Sequence, residues 1–304
     1  MNNFRNKFSP LTGIVVFIIA MIIFILLGAP IQRSLGMGGL AITELMILVM
    51  GILPAIILKQ DLKKVFPINI PKMREIFGIL LIWVGTILFS LIVSMILMYF
   101  FPEDMMEVSS GLNKVITSVP FIFQVLIAAV MPAICEEALH RGFILANFKP
   151  LKNKFMIVIF MGIIFGIFHL DFYRFLPTFI LGCSLSYIML ETDNMVLPML
   201  FHFVNNLVST TAGTFSNNSE ISYVTTREET ILIIGTMLIL GCLMPLLYYF
   251  GSRLIKKEDR RKKTNMKSLI LAIFISVILF VSGIFITGNL AMNNSDIFNT
   301  IYNQ

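Results

Sequence analysis

FIFQVLIAAVMPAICEEALHR, residues 121–141, is the stretch whose reading decides the fold. Its first fifteen residues carry a single polar side chain, Gln124, and its last six carry Glu136, Glu137, His140 and Arg141. A run this apolar and this long reads as a membrane-spanning helix, since about 20 residues at 1.5 Å rise each cross the hydrocarbon layer. Charge placed inside such a helix costs about 2.5–3.5 kcal/mol per residue on insertion scales, so the four ionisable groups mark a functional site by default.

The rest of the 304-residue chain agrees with that solvent. It is 57% hydrophobic and 13% charged, with mean hydropathy +0.90, far from globular usage. Nine windows of spanning length emerge, at about 11–29, 39–58, 76–101, 119–148, 155–170, 175–190, 195–212, 230–250 and 268–287. The fifth and sixth are short, so the expectation is an all-α polytopic bundle of eight or nine spans around a mid-membrane cavity. Within one integral membrane domain over 1–304, residues 119–212 form the expected core, flanked by further helices in 1–118 and 213–304. The first window has a basic start like a signal peptide's, but its length and Pro30 after the small-residue site favour a retained helix. No internal repeat is visible.

The net charge of +6 does not point to nucleic acid, because no groove-reading motif accompanies it. It reflects loops instead. Of 23 Lys and Arg, eighteen fall in the N-terminus, 59–75, 149–154 and 251–267, on one side of the alternating windows. Four, Arg33, Lys114, Arg174 and Arg227, fall on the other, and Arg141 lies within a helix. Cytoplasmic loops keep positive charge, so a multi-pass protein of the bacterial plasma membrane with a cytoplasmic N-terminus is expected. The basic run at 253–263 serves as a topology anchor or a contact for anionic membrane lipid, at about 1 kcal/mol per basic residue. Residues 212–229 read as a polar outer loop and 289–304 as a mobile tail. Cys135, Cys183 and Cys242 all lie in apolar runs and imply no disulfide framework.

Helical periodicity sorts the ionisable groups by face. Glu136 shares a face with His140, and Glu137 shares the next with Arg141, the spacing of an ion pair. Phe165 and His169 share a face of the fifth window, as do His202 and Asn206 in the seventh, with Asn205 turned elsewhere. Counting at 1.5 Å per residue from the basic loops, Glu136 lies roughly 20 Å, His169 roughly 22 Å and His202 roughly 14 Å deep, so the three can meet near mid-membrane. Pro132 is placed to kink the fourth window beside them. Asp171 and Arg174 read as interfacial residues flanking a turn.

Peptide hydrolysis needs a base for water, donors for the oxyanion and exclusion of bulk solvent, and this cluster can supply each. Other routes lack their motifs: there is no His-Glu-x-x-His, Gly-x-Gly-Asp or Gly-x-Ser-x-Gly. Cys135 abuts Glu136 but points about 100° away from it around the helix. Two histidines and a glutamate are also a sufficient set for zinc, with Glu136, His169 and His202 as ligands. A proton-coupled transporter using the same groups as a relay remains a second class of reading.

Glu-Glu-x-x-x-Arg at 136–141, Phe-x-x-x-His at 165–169 and His-x-x-x-Asn at 202–206, in that order on separate helices, resemble the CPBP family. That family of intramembrane glutamic proteases comprises CAAX prenyl endopeptidases and bacteriocin-processing relatives. The resemblance implies a peptidase without a cofactor, in which Glu136 and His169 activate water and His202 and Asn206 bind the oxyanion. It implies that Glu137 and Arg141 form a supporting ion pair beside Phe165. The substrate it implies is a peptide or lipidated protein, and a noncatalytic bacteriocin-immunity or regulatory protein of the same fold is its alternative. His140 departs from the family, which often has an aromatic residue there; on the Glu136 face it could tune that carboxylate or simply bond to a neighbour.

Overall fold

In lipid every backbone amide must find its partner within its own segment, which leaves helices as the only solution for windows like these. The structure, a computed structural model, describes residues 8–216, 226–256 and 266–293, and among them there is no strand. Ten helices carry the architecture: α1 (Pro10–Leu35), α2 (Met37–Ile57), α3 (Met73–Phe100), α4 (Pro102–Ile116), α5 (Phe121–Phe148), α6 (Lys154–Phe168), α7 (Phe172–Thr192), α8 (Val196–Ser216), α9 (Arg227–Ile255) and α10 (Met266–Asn293). The chain is a polytopic all-α membrane bundle. The loop core at 217–225, the basic run beyond 256 and the tail beyond 293 lie outside the described residues.

Each of the nine expected windows is a helix, but among the described residues only seven helices are long and apolar enough to cross a membrane. The fifth window, α6, is 15 residues long and falls short. The sixth, expected to be short, is the 21-residue α7, while α8 has the same length but is not among the seven. The physical reason is visible in α8 itself, which spends His202, Asn205, Asn206, Ser209, Thr210 and Thr211 on polar positions.

Side chains of the chain itself start the shorter helices. Asn153 accepts from Met156 N at the head of α6, and Asp171 accepts from Tyr173 N and Arg174 N at the head of α7. Thr226 and Glu229 form a reciprocal capping box on α9.

α5 is the centre of the bundle: its second half, from Cys135 to Phe148, is buried throughout. It is not a regular helix. The turns Leu126–Val130 and Ala138–Ile144 are widened to π geometry. The first widened turn absorbs Pro132, which has no N–H to give. The second receives α2, whose Gly51 lies so close that a Cβ there would stand 2.8 Å from Leu139 N. α6 and α7 approach as closely at Gly182, where a Cβ would stand 2.8 Å from Phe165 Cβ and 3.1 Å from Gly162 Cα. A triangle of hydroxyls ties α3, α7 and α9 together: Thr86, Ser184 and Tyr248 lie 2.6–2.9 Å apart. The outward faces of α1 and α10 are rows of exposed Leu, Ile, Val and Phe, as lipid contact requires.

The loops sort to two ends. At one end Asn147 bonds both Ser9 N and Gln60, Asn194 bonds Asn69, and Met195 N donates to Pro67 O. Lys149 pairs with Asp193 there and Lys154 with Glu191. At the other end Asn113 donates to Gly213 O, Phe101 packs on Tyr173, and the Arg227 guanidinium sits over Tyr99. Residues 59–75, 149–154 and 191–195 therefore share one end of the molecule.

Candidate active site

Phe165, fully buried on α6, is the centre around which the site is built. All three histidines of the chain turn ring edges toward it, at centroid distances of 5.1 Å for His140, 4.9 Å for His169 and 5.8 Å for His202. The Arg141 guanidinium covers its face at 4.3 Å. A cation over an aromatic face in a dry interior is an attraction of about 2 kcal/mol.

Glu137 anchors the next layer. The ion pair that its spacing to Arg141 predicts is present, with Arg141 Nη1 2.8 Å from Glu137 Oε1 and both side chains fully buried. The same oxygen accepts from His202 Nδ1 at 2.9 Å, so one carboxylate holds a cation from its own helix and an imidazole from α8. Arg141 also donates to Gly182 O at 3.1 Å, which brings α7 into the same network. A buried ion pair of this kind endures only when further hydrogen bonds hold its members.

Glu136, one residue away, has none of this. Among the described residues its carboxylate has no hydrogen-bond partner, and Oε2 is buried. It faces a cavity of about 840 Å³ lined also by Glu44, His169, Arg174, His202, Asn205 and Asn206. The four residues expected to work together, Glu136, His169, His202 and Asn206, thus lie on one cavity.

The hydrogen bonds fix how these groups present themselves. His169 Nδ1 donates to Phe165 O at 2.8 Å, so the neutral ring offers the lone pair of Nε2. His202 likewise commits Nδ1, which donates to Glu137. Asn205 Nδ2 donates to Asn206 Oδ1 at 3.2 Å, which leaves the Asn206 amide N–H groups for another partner.

Two expectations change and a third is settled. Asn205, expected to point elsewhere, lines the cavity and orients Asn206; neighbouring residues diverge by about 100°, but a cavity of this width reaches both. His140 is not on the cavity. It lies in the widened turn that begins at Ala138, buried against Phe165 and Phe168, with Nδ1 donating to Glu136 O at 2.9 Å, so of its two readings it takes the bond to a neighbour. Arg174, read as interfacial, lines the cavity. Among the described residues no three His, Cys, Asp or Glu side chains converge as metal ligands.

Glu44 is the residue the sequence reading missed. It sits 2% exposed in the middle of α2 with Oε2 unpartnered, on the same cavity. The rule that singled out Glu136, an ionisable group deep in an apolar window, applies equally to Ala-Ile-Thr-Glu44-Leu-Met-Ile.

Residues 118–208 match the family described as type II CAAX prenyl endopeptidase Rce1-like. Over these residues the chain is similar to that Rce1-like family. The matched segment runs from just before α5 into α8 and contains Glu136, Glu137, Arg141, Phe165, His169, His202 and Asn206. Glu44 lies outside the Rce1-like segment, as do α1 to α4 and the helices after α8. No curated protein and no solved structure matches the chain.

Proposed function

We propose that the chain is an intramembrane endopeptidase in which water activated by Glu136 cleaves a peptide bond held in the cavity. The observation that carries this reading is the contrast in hydrogen bonding. Among the described residues Glu136 is a carboxylate with no hydrogen-bond partner, facing a roomy cavity, while Glu137, Arg141 and His202 behind it are bonded to one another. A base free of competing bonds can take a proton from water and return it to the leaving amine.

His169 is suited to hold that water, because Nε2 accepts while Nδ1 is committed to Phe165 O. Asn206 is suited to donate to the oxyanion, since its carbonyl oxygen is occupied by Asn205 and its amide N–H groups are not. His202 donates there from Nε2 only when its ring carries both protons, because Nδ1 is given to Glu137. Glu137 and Arg141 act on the chemistry by holding His202 and α7 in place. The Rce1-like match supports hydrolase chemistry of this type.

The test is cleavage of a randomised pool of apolar synthetic peptides by reconstituted protein, with products read by mass spectrometry. Cleavage by the wild type and none by Glu136→Ala is the expected result. Equal product from both, or no cleavage of any peptide in the pool, overturns the peptidase reading.

A further inference from the structure

The cavity is continuous with one end of the bundle only. Beyond the site itself, its walls come from Arg33 at the end of α1, from α4, from Leu170, Tyr173 and Arg174 around the head of α7, and from Gly213 near the end of α8. None of its lining residues comes from 59–75, 149–154 or 191–195. Those segments close the opposite end, with Asn147, Asn194 and the Lys149–Asp193 and Lys154–Glu191 pairs knitting it together.

The closed end is also the basic one. Eight of the described Lys and Arg lie in 59–75 and 149–154 at that end, against four, Arg33, Lys114, Arg174 and Arg227, at the open end. Positive loops stay in the cytoplasm, so the cavity opens away from it. At the open end α4 supplies a ledge of suitable chemistry: Met105, Val108, Leu112 and Ile116 recur at helical spacing along the cavity wall beside Ser109 and Asn113, while Glu103, Asp104, Glu107 and Lys114 lie on its other faces. A helix with one apolar stripe lies along a membrane surface and presents that stripe to an apolar chain.

We propose that the Glu136 cavity is loaded from the extracytoplasmic face of the membrane, by an apolar segment of an exported or membrane-inserted peptide that docks along α4. This deepens the peptidase reading and rests on it for the word substrate, but the sidedness stands on the geometry and the charge count alone. A soluble cytoplasmic protein meets only the closed, basic end.

Single cysteines test the sidedness. Ser109→Cys and Lys114→Cys on α4, and Lys64→Cys and Lys152→Cys at the closed end, are exposed positions. The native chain is the blank, its cysteines being buried or half-buried. In intact spheroplasts of an expressing bacterium, a membrane-impermeant maleimide should label the α4 cysteines as fully as after lysis. The closed-end cysteines should rise from background only on lysis. Two positions at each end keep the result readable if one variant does not fold. Labelling of Lys64→Cys or Lys152→Cys in intact spheroplasts, or of the α4 cysteines only after lysis, overturns the proposal whatever the enzyme activity. In proteoliposomes whose orientation is fixed by the same labelling, a quenched apolar peptide should be cleaved at least tenfold faster when supplied on the α4 side. Equal rates from both sides overturn the loading route even if Glu136 dependence holds, and loss of Glu136 dependence overturns the peptidase reading while leaving the labelling result standing.

Discussion

Glu136 and Glu137 are adjacent in sequence, share a helix and are both almost wholly buried, yet they occupy opposite situations. Glu137 has one oxygen engaged twice, by Arg141 and by His202, and through Arg141 it reaches Gly182 O on a third helix. Glu136 has no hydrogen-bond partner among the described residues and faces the cavity. A rotation of about 100° around one helix separates the group that holds the bundle from the group left free to react. Burial alone therefore does not distinguish the two carboxylates, and what their neighbours have already claimed does.

The widest separation between the two should appear when each is removed. Glu136→Ala deletes no protein hydrogen bond, so it should leave thermal stability in detergent close to wild type while cutting turnover by about 10²–10⁴-fold, the usual worth of a general base. Glu137→Ala strands the buried Arg141 guanidinium and the His202 ring, and should cost about 3–5 kcal/mol of stability. Melting curves and single-turnover rates on both variants check the contrast. A Glu136→Ala protein that melts as low as Glu137→Ala breaks it.

Asn206→Ala probes the cavity side more finely. Loss of one oxyanion donor costs about 10²–10³-fold in turnover. The loss should fall on kcat rather than KM, because the bond forms with the charge that develops in the transition state. Asn205→Ala should reproduce only part of it, since Asn205 acts by occupying Asn206 Oδ1. Equal losses would mean that Asn205 itself contacts the reacting atoms.

What the sequence made legible follows from the same contrast. Each apolar window announces its helix because lipid admits no other answer, and the Glu137–Arg141 pair is readable because it lies within one helix at fixed spacing. The His202–Glu137 bond spans 65 residues and two helices, and nothing in either segment alone predicts it. The spacing of His140 from Glu136 leaves open whether it meets the carboxylate or a neighbour, and the structure bonds it to Glu136 O within the widened turn Ala138–Ile144. Val196–Ser216 announced itself as a helix by its apolar first half, while the polar positions that keep it from being a confident span are the ones the cavity uses.

Glu44 gives the smallest expected effect and the sharpest use of the comparison. Like Glu136 it is buried, leaves Oε2 unpartnered and lines the cavity, so by openness alone the two should behave alike. They differ in their surroundings. Glu136 shares the Rce1-like segment with His169 and Asn206, whereas Glu44 comes from α2, outside that segment. Glu44→Gln keeps the shape and removes a carboxylate from a cavity that already holds another, so it should change turnover by about tenfold or less, within roughly 1.4 kcal/mol of barrier. A loss matching that of Glu136→Ala would show that the two carboxylates work as a pair. The distinction drawn from Glu136 and Glu137 would then have to be restated, since freedom from partners would be sufficient for reactivity and the water-holding histidine beside Glu136 would not be what sets it apart.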